Sequence, residues 1–453
     1  ARREDDQETP EANALAHVLR VSDSRSGGQV SGRRATVRCA RLPTYMLIAM
    51  PPTTGPSERA IVFCVGAVQF VNILDFMIVL PLGPDFATAL NIPVSHIGYV
   101  GGSYTAAASI SGLAGAFFLD RFDRKKALSV AMLGLVLGTL SGAFATGLGT
   151  LMLARVVAGA FGGPATSLSY SIIADVIPPH RRGRAMGAVM GAFSVASILG
   201  VPAGLELARR GGWRLPFIAV AVLGAILGTY AARVLPPMTG HLAQARGRRF
   251  GRDLLELVRV DVLLSLTLTT LVMGASFIIV PNIAPYLLYN LGYPRARLGL
   301  LYLVGGLVSF VAMRGVGLLV DRFGSARVGT FGTLFASTVI YCGFARVPPV
   351  FSVLLLFVLF MLAMSFRNVA YNTLTSKVPR ADERARFSSI QSSVQHLASA
   401  LGAFASARIL TELPNHALIG VDVTAYASIT LGVLVLPLLW IVEGRVLARS
   451  SVV

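Results

Sequence analysis

Long apolar runs separated by short polar connections repeat along the chain from residue 60 onwards. They occupy residues 60–82, 97–119, 127–146, 148–172, 185–207 and 215–235, and resume at 262–288, 298–320, 328–344, 350–371, 387–410 and 418–442. Each is long enough to cross roughly 30 Å of hydrocarbon as a helix. The pattern predicts an all-α membrane protein whose twelve transmembrane helices form two six-helix bundles, 60–235 and 260–453, joined by a linker at 236–259. The second half of that linker, Asp-Leu-Leu-Glu-Leu-Val from Asp253, reads either as an amphipathic surface helix or as solvated chain. Residues 1–59 have no apolar core of signal-peptide type and read as a disordered tail, with Met50 a natural start.

The two bundles are copies of one unit. Asp120-Arg121-Phe122 and Asp321-Arg322-Phe323 lie 201 residues apart. At the same offset Phe76, Ile78, Val79 and Pro84 recur as Phe277, Ile279, Val280 and Pro285, Tyr170 as Tyr371, and Pro178 as Pro379. Agreement of three regions on one offset is the signature of an internal duplication, and duplicated halves predict pseudo-symmetric bundles.

Cations orient the chain. Connections rich in arginine and lysine alternate with poor ones: Arg121, Arg124, Lys125 and Lys126, then Arg181 to Arg184, the linker, Arg322 and Arg327, and Lys377 to Arg386 all fall on one side. Such clusters resist translocation, so this side is expected to be cytoplasmic, with both termini there. The same assignment accounts for the net charge of +18 without nucleic acid. A composition of 54% hydrophobic and 14% charged residues excludes a soluble domain of this size. Nearly all the basic residues are arginine, which reads as a GC-rich bacterial coding bias. Cys39, Cys64 and Cys342 are too scattered for a disulfide framework or a metal site. Nucleotide loops, nucleophile elbows and metal-ligand spacings are missing in suitable contexts, so neither a cofactor nor an enzyme is expected.

Few ionisable residues lie deep in the apolar runs, and each is costly there without a partner or a wet cavity. Asp75 and Arg155 each sit seven residues, or roughly 10 Å, from the outer ends of the first and fourth runs. Asp75 is thus a candidate proton carrier tuned by Arg155, or else a structural acid bonded to a neighbouring helix or to Asn72. Arg367 and Arg314 read as structural or gating cations. His396 is a possible second carrier or a hydrogen-bonded neutral group, and Gln69, Asn72, Asn282, Asn368, Gln391 and Gln395 are the polar groups available to line a substrate cavity.

The stretch LAGAFFLDRFDRKKAL from Leu113 resembles the G-x-x-x-D-R-x-G-R-[RK]-[RK] loop of the major facilitator superfamily. Ala116 stands where the first glycine belongs and Asp123 where the turn glycine belongs; the second copy keeps both, Gly317 and Gly324. Arg155 with Gly159 resembles the family's R-x-x-x-G element. Gly200-Val201-Pro202-Ala203-Gly204 resembles the glycine–proline motif of its antiporters, with Val201 inserted. Within the family the chain is most similar to the twelve-helix drug:proton antiporters of the bacterial inner membrane.

That resemblance implies a secondary transporter, working as a monomer in the lipid bilayer, that exports small amphipathic molecules in exchange for protons. An uptake symporter, a facilitator and a non-transporting receptor are the alternatives. It further implies a cytoplasmic gate in which Asp120 faces a helix N-terminus across the interface and Arg124 pairs with Asp175 at the foot of the fourth helix, with Arg121, Asp321 and Arg322 as the companion loop residues. Asp123, in the glycine position, is expected to adopt a left-handed turn replaceable by glycine.

Overall fold

The structure is a computed structural model that describes residues 57–239, 259–346, 348–380 and 383–450. The tail expected at 1–59 and the linker expected at 236–259 therefore fall almost wholly outside the described residues. Apart from a two-residue antiparallel β ladder, Thr411–Glu412 with Leu418–Ile419, the described chain is helical.

The first half contains α1 (Glu58–Val79), α2 (Ile97–Phe118), α3 (Arg124–Ala143) and α4 (Leu148–Val176). A short helix, Gly83–Leu90, follows α1. Next comes α5, a stack of helical segments running Pro179–Met190, Ala192–Val195, a π turn Ala196–Gly200 and Val201–Gly211, and then α6 (Arg214–Val234). The π turn lies immediately before Pro202, whose ring removes an amide donor and crowds the preceding turn. The second half contains α7 (Val260–Ile279), α8 (Leu298–Phe323), α9 (Ser325–Ile340), α10 (Val353–Ser376), α11 (Arg384–Ile409) and α12 (Val421–Ser450). Pro281 and Pro285 break the extension of α7 into a 3₁₀ turn and a π turn that ends at Asn290.

Among the described residues, ten helical stretches are long and apolar enough to cross a membrane. The exceptions among the long helices are α2 and α11, which are diluted by Gly, Ser and Gln. These two pack on each other where the halves meet, and α5 packs on α8 in the same way. Exposure is inverted relative to a soluble protein. On α3 the large residues Val130, Leu133 and Leu137 face outward, while Gly134, Gly138 and Gly142 face neighbouring helices. Small residues inside and branched ones outside are what helix association in lipid selects.

The 201-residue repeat has a geometric counterpart. The Phe76 and Phe277 rings stack at 6.1 Å, and the Thr88 and Tyr289 hydroxyls lie 3.3 Å apart. Each pair joins equivalent positions of the two copies, as residues on a two-fold axis must. Off the axis, Gly98 of α2 abuts Ala403 of α11, and the equivalent Gly299 of α8 abuts Pro202 of α5. One sequence boundary is corrected. The last apolar run was expected to begin helical at residue 418, but Leu418 pairs in the β ladder, its backbone held by both amide atoms of the Asn290 side chain at 2.8 and 2.9 Å.

Gly159 marks the tightest approach of α4 to α2: a Cβ there would lie 2.2 Å from the Tyr104 carbonyl oxygen. Gly159→Val is expected to cost roughly 1–3 kcal/mol through forced separation of the helices. Gly149→Ala, in open space on the same helix, should be neutral or slightly stabilising. Unfolding of the two purified variants in detergent checks this, and equal stability would refute the wedge.

Candidate functional site

One face of α1 carries Gln69, Asn72 and Asp75 at three-residue spacing, so all three point toward α4. Asp75 is 1% exposed and so is Arg155 of α4. The guanidinium grips the carboxylate with both ends: Nη1 donates to Oδ1 at 2.9 Å and Nη2 to Oδ2 at 3.0 Å, with a further contact from Nη2 to the Asp75 carbonyl at 3.3 Å. Thr139 of α3 donates to Oδ1 at 2.8 Å. The other side of Arg155 rests on the Tyr104 ring of α2, 4.6 Å from its centroid. Tyr104 donates its hydroxyl to Asn72 at 2.8 Å, and Asn72 donates to the Gly162 carbonyl at 3.1 Å and to Thr166 at 2.7 Å. Gln69 extends the file with a 3.5 Å contact to Thr166.

Asp75, Arg155, Asn72 and Gln69 therefore meet inside the first half rather than on an open cavity wall. Thr166 and Gly162 accept from Asn72 and Thr166 from Gln69, while Gln69 Oε1 has no partner among the described residues. The pair is aimed by α5. Gly200 and Gly204 receive the side chains of Leu74 and Ile78, which flank Asp75, so α1 cannot rotate without clashing. Pro202 sits between these two glycines. Removing two charges from water is expensive, and the bidentate geometry with a third donor is what makes the buried pair tolerable.

The second half has no such pair among the described residues. Ser276 occupies the position equivalent to Asp75, Leu356 that of Arg155 and Arg367 that of Thr166. Arg367, buried, donates through Nη2 to Ser276 at 2.6 Å, beside the Met364 sulfur at 3.0 Å. The repeat offset places Arg367 opposite Thr166 but does not give this link, since Thr166 bonds Gln69 and Asn72 and not Asp75. Several polar atoms nearby in the chain lack partners among the described residues, including Asn282 Oδ1, Asn368 Oδ1, Tyr371 Oη and Arg367 Nε. Gln391 bridges α11 to Thr375 of α10 at 2.8 Å, while Gln395 and His396 are half-buried on α11.

At the arginine-rich end, Arg124 Nε meets Asp175 Oδ2 at 2.5 Å, which joins the pair expected at the foot of α4. The Asp120 side chain lies outside the described residues. Arg121, Asp321 and Arg322 are exposed, and the Arg322 guanidinium lies 5.3 Å from the Phe323 ring centroid. Asp123 is not left-handed: φ is −57°, and its carboxylate caps α3 by accepting from Lys125 N at 2.9 Å, while it also accepts from Met238 N at 3.1 Å. The expectation that glycine could replace it freely is thereby corrected, since glycine would remove both bonds. Gly324, its second-half equivalent, does have positive φ, +88°. At the opposite end the halves are latched. Arg295 grips Asp85 with two bonds of 2.8 and 2.5 Å, and Glu412 accepts from the Val94 backbone N–H.

Comparison with known proteins gives concordant results. The sequence profile of the Major Facilitator Superfamily matches residues 65–403. The chain is 28% identical over 209 residues to the inner membrane transport protein YdhP of Escherichia coli K12, covering 46% of this chain and 53% of that protein. It is 25% identical over 255 residues to the purine ribonucleoside efflux pump NepI of Escherichia coli K12, covering 56% of this chain and 62% of the pump. The chain thus spans little more than half the length of these relatives. Among solved structures, a D-xylose–proton symporter superposes with a TM-score of 0.69 at 17% identity, over 84% of this chain and 97% of that one. At that identity it speaks for the fold alone.

The geometry predicts an asymmetric mutational response. Arg155→Met leaves Asp75 buried without a countercharge, with only the Thr139 hydroxyl on it, and should cost about 3–5 kcal/mol, whereas Asp75→Leu combined with Arg155→Met should recover most of that loss. Unfolding of both variants in detergent is the measurement. Equal stabilities would show that the two charges are not energetically coupled.

Proposed function

The chain belongs to the major facilitator superfamily, and from that premise we propose that it exports small amphipathic molecules in exchange for protons by alternating access. It is a multi-pass membrane transporter, not an enzyme. The reading takes α1–α6 and α7–α12 as two six-helix bundles, each rocking as a unit on the other, with both termini cytoplasmic and a single chain sufficient for transport.

The observation that carries proton coupling is the Asp75–Arg155 pair, withdrawn from water in one copy of the repeat and absent from the other. A buried charge is tolerated only while its partner stays in place. A modest movement of α4 against α1 as the bundles rock would part Asp75 from Arg155, and a proton would take the place of the guanidinium on the carboxylate. Solute would displace the equilibrium by meeting the unpartnered polar atoms of the second half, Asn282 and Asn368 among them, with Gln391, Gln395 and His396 as further wall. The latch at Asp85–Arg295 supports a state closed to the outside, with Arg124–Asp175 at the cytoplasmic end within the first bundle. Arg121, Asp120, Asp321 and Arg322 would complete the gate when that end closes.

Export rather than uptake rests on the efflux pump among the relatives. The test uses purified protein in liposomes with an imposed pH gradient, with inosine and ethidium as probe solutes. Wild type should move at least one of them against its gradient. The Asp75→Leu/Arg155→Met variant, folded but uncharged, should retain at most downhill flux. Undiminished proton-driven transport by that variant would remove the pair from the mechanism. Uphill movement in the opposite direction would identify a symporter.

A further inference from the structure

A groove of about 840 Å³ runs along the first half between α1, α5 and α6, apart from the Asp75 network. Its walls are apolar: Val62, Phe63 and Phe70 from α1, Ala192 and Val195 from α5, and Leu227 from α6. Small residues, Gly66 and Ala188 among them, leave the trough open. Its polar lining is confined to one end, where Arg59, Arg181 and Arg184 gather with Glu58. These are the residues of the arginine-rich side of the chain, at the level where a helix leaves the hydrocarbon.

We infer that this groove holds one anionic phospholipid of the leaflet on the arginine-rich side, its acyl chain in the trough and its phosphate among Arg59, Arg181 and Arg184. The dimensions fit one leaflet. Arg59 to Phe70 on α1, and Arg184 to Val195 on α5, each span eleven residues, or roughly 16 Å at helical rise. Half of a hydrocarbon core is about 15 Å. A groove polar at one end and apolar for the depth of a single leaflet matches a lipid, and a soluble anion would use only its mouth.

The charges also fit. Three guanidinium groups face one carboxylate. The one ion pair there, Arg181 with Glu58 at 3.1 Å, is 59% and 39% exposed, so it is weak and exchangeable. Arg59 and Arg184 are exposed and have no ion-pair partner among the described residues. A phosphodiester would take their place opposite a net positive mouth, as basic residues near an anionic leaflet do. The inference depends on the chain spanning a membrane and not on the direction or coupling of transport.

Native mass spectrometry of the full chain, purified in detergent and re-equilibrated with equal phosphatidylglycerol and phosphatidylcholine, tests it without any transport measurement. Wild type should retain one phosphatidylglycerol in at least tenfold preference. Each arginine is worth roughly fivefold in that preference, so Arg181→Gln/Arg184→Gln should abolish most of it. Glu58→Gln should raise it. Ala188→Phe, which fills the exposed trough, should release the lipid whatever its headgroup. Equal retention of the two lipids by wild type would overturn the inference, as would a preference untouched by both the arginine and the trough substitutions. Release of the lipid by millimolar inorganic phosphate alone would show that the mouth is a soluble-anion site, and would overturn it too.

Discussion

A charge that has been removed from water must be met by another charge in a geometry good enough to offset the loss, and in this chain that requirement falls on Asp75 and Arg155. Nothing about the pair is local. The carboxylate comes from α1, the guanidinium from α4, the third donor from α3 and the supporting ring from α2. Four helices are therefore held at fixed height and rotation by one polar cluster. In lipid this matters more than in water, because the apolar surfaces of the helices gain little by choosing one another over the surrounding chains. Close packing at Gly159, Gly200 and Gly204 then supplies the dispersion contacts that the cluster alone cannot.

Duplication explains what the halves share, and divergence at single positions explains what separates them. Both copies need the second amide of a helix capped after the loop. In the first, Asp123 caps Lys125 from its own chain position; in the second, Gly324 has no side chain, and Glu443 reaches from α12 to cap Ala326, the equivalent residue, at 3.0 Å. The same amide is satisfied by two routes. Likewise Thr166, which orders Asn72, becomes Arg367, and Asp75 becomes Ser276, so a charge pair in one half corresponds to a cation and a hydroxyl in the other.

Much of this was legible in the sequence, for definable reasons. Apolar run length reads directly as helix length in lipid, so the helices and their order could be placed to within a few residues. The repeat offset needed only arithmetic, and Phe76 with Phe277 shows that it is a spatial relation as well. The pairing of Asp75 with Arg155 could be expected from equal depth and scarcity of charge. Orientation about a helix axis was less accessible. Depth says nothing about which neighbour a side chain faces, and the bonds of Gln69 and Asn72 to α4 could not be read from the run they lie in. Asp123 was misread because a position aligned with glycine was taken to need glycine's backbone conformation, when its carboxylate instead serves the helix that follows. The groove beside α1 left no trace in any single run, since it is assembled from helices distant in sequence.

The unequal treatment of polar groups has a mechanical consequence. A helix bundle whose buried donors and acceptors are mutually satisfied resists deformation, because any shift leaves one of them unpaired in low dielectric, where that is most costly. Around Asp75, Asn72 and Tyr104 the first half comes close to this, with Arg155 Nε and Gln69 Oε1 the buried atoms left without a partner among the described residues. The second half keeps Asn282, Asn368, Tyr371 and Arg367 with atoms still to satisfy, so a solute or water entering there gains hydrogen bonds without displacing existing ones. The second half meets the first through α2 on α11 and α5 on α8. The α5 path ends at Gly200 and Gly204, against the residues that flank Asp75. Displacement of α5 therefore bears on the rotation of α1, and through it on how squarely Asp75 faces Arg155. The proline and π turn of α5 lie at that same level, where the helix has already given up its regular hydrogen bonding and can yield with the least loss.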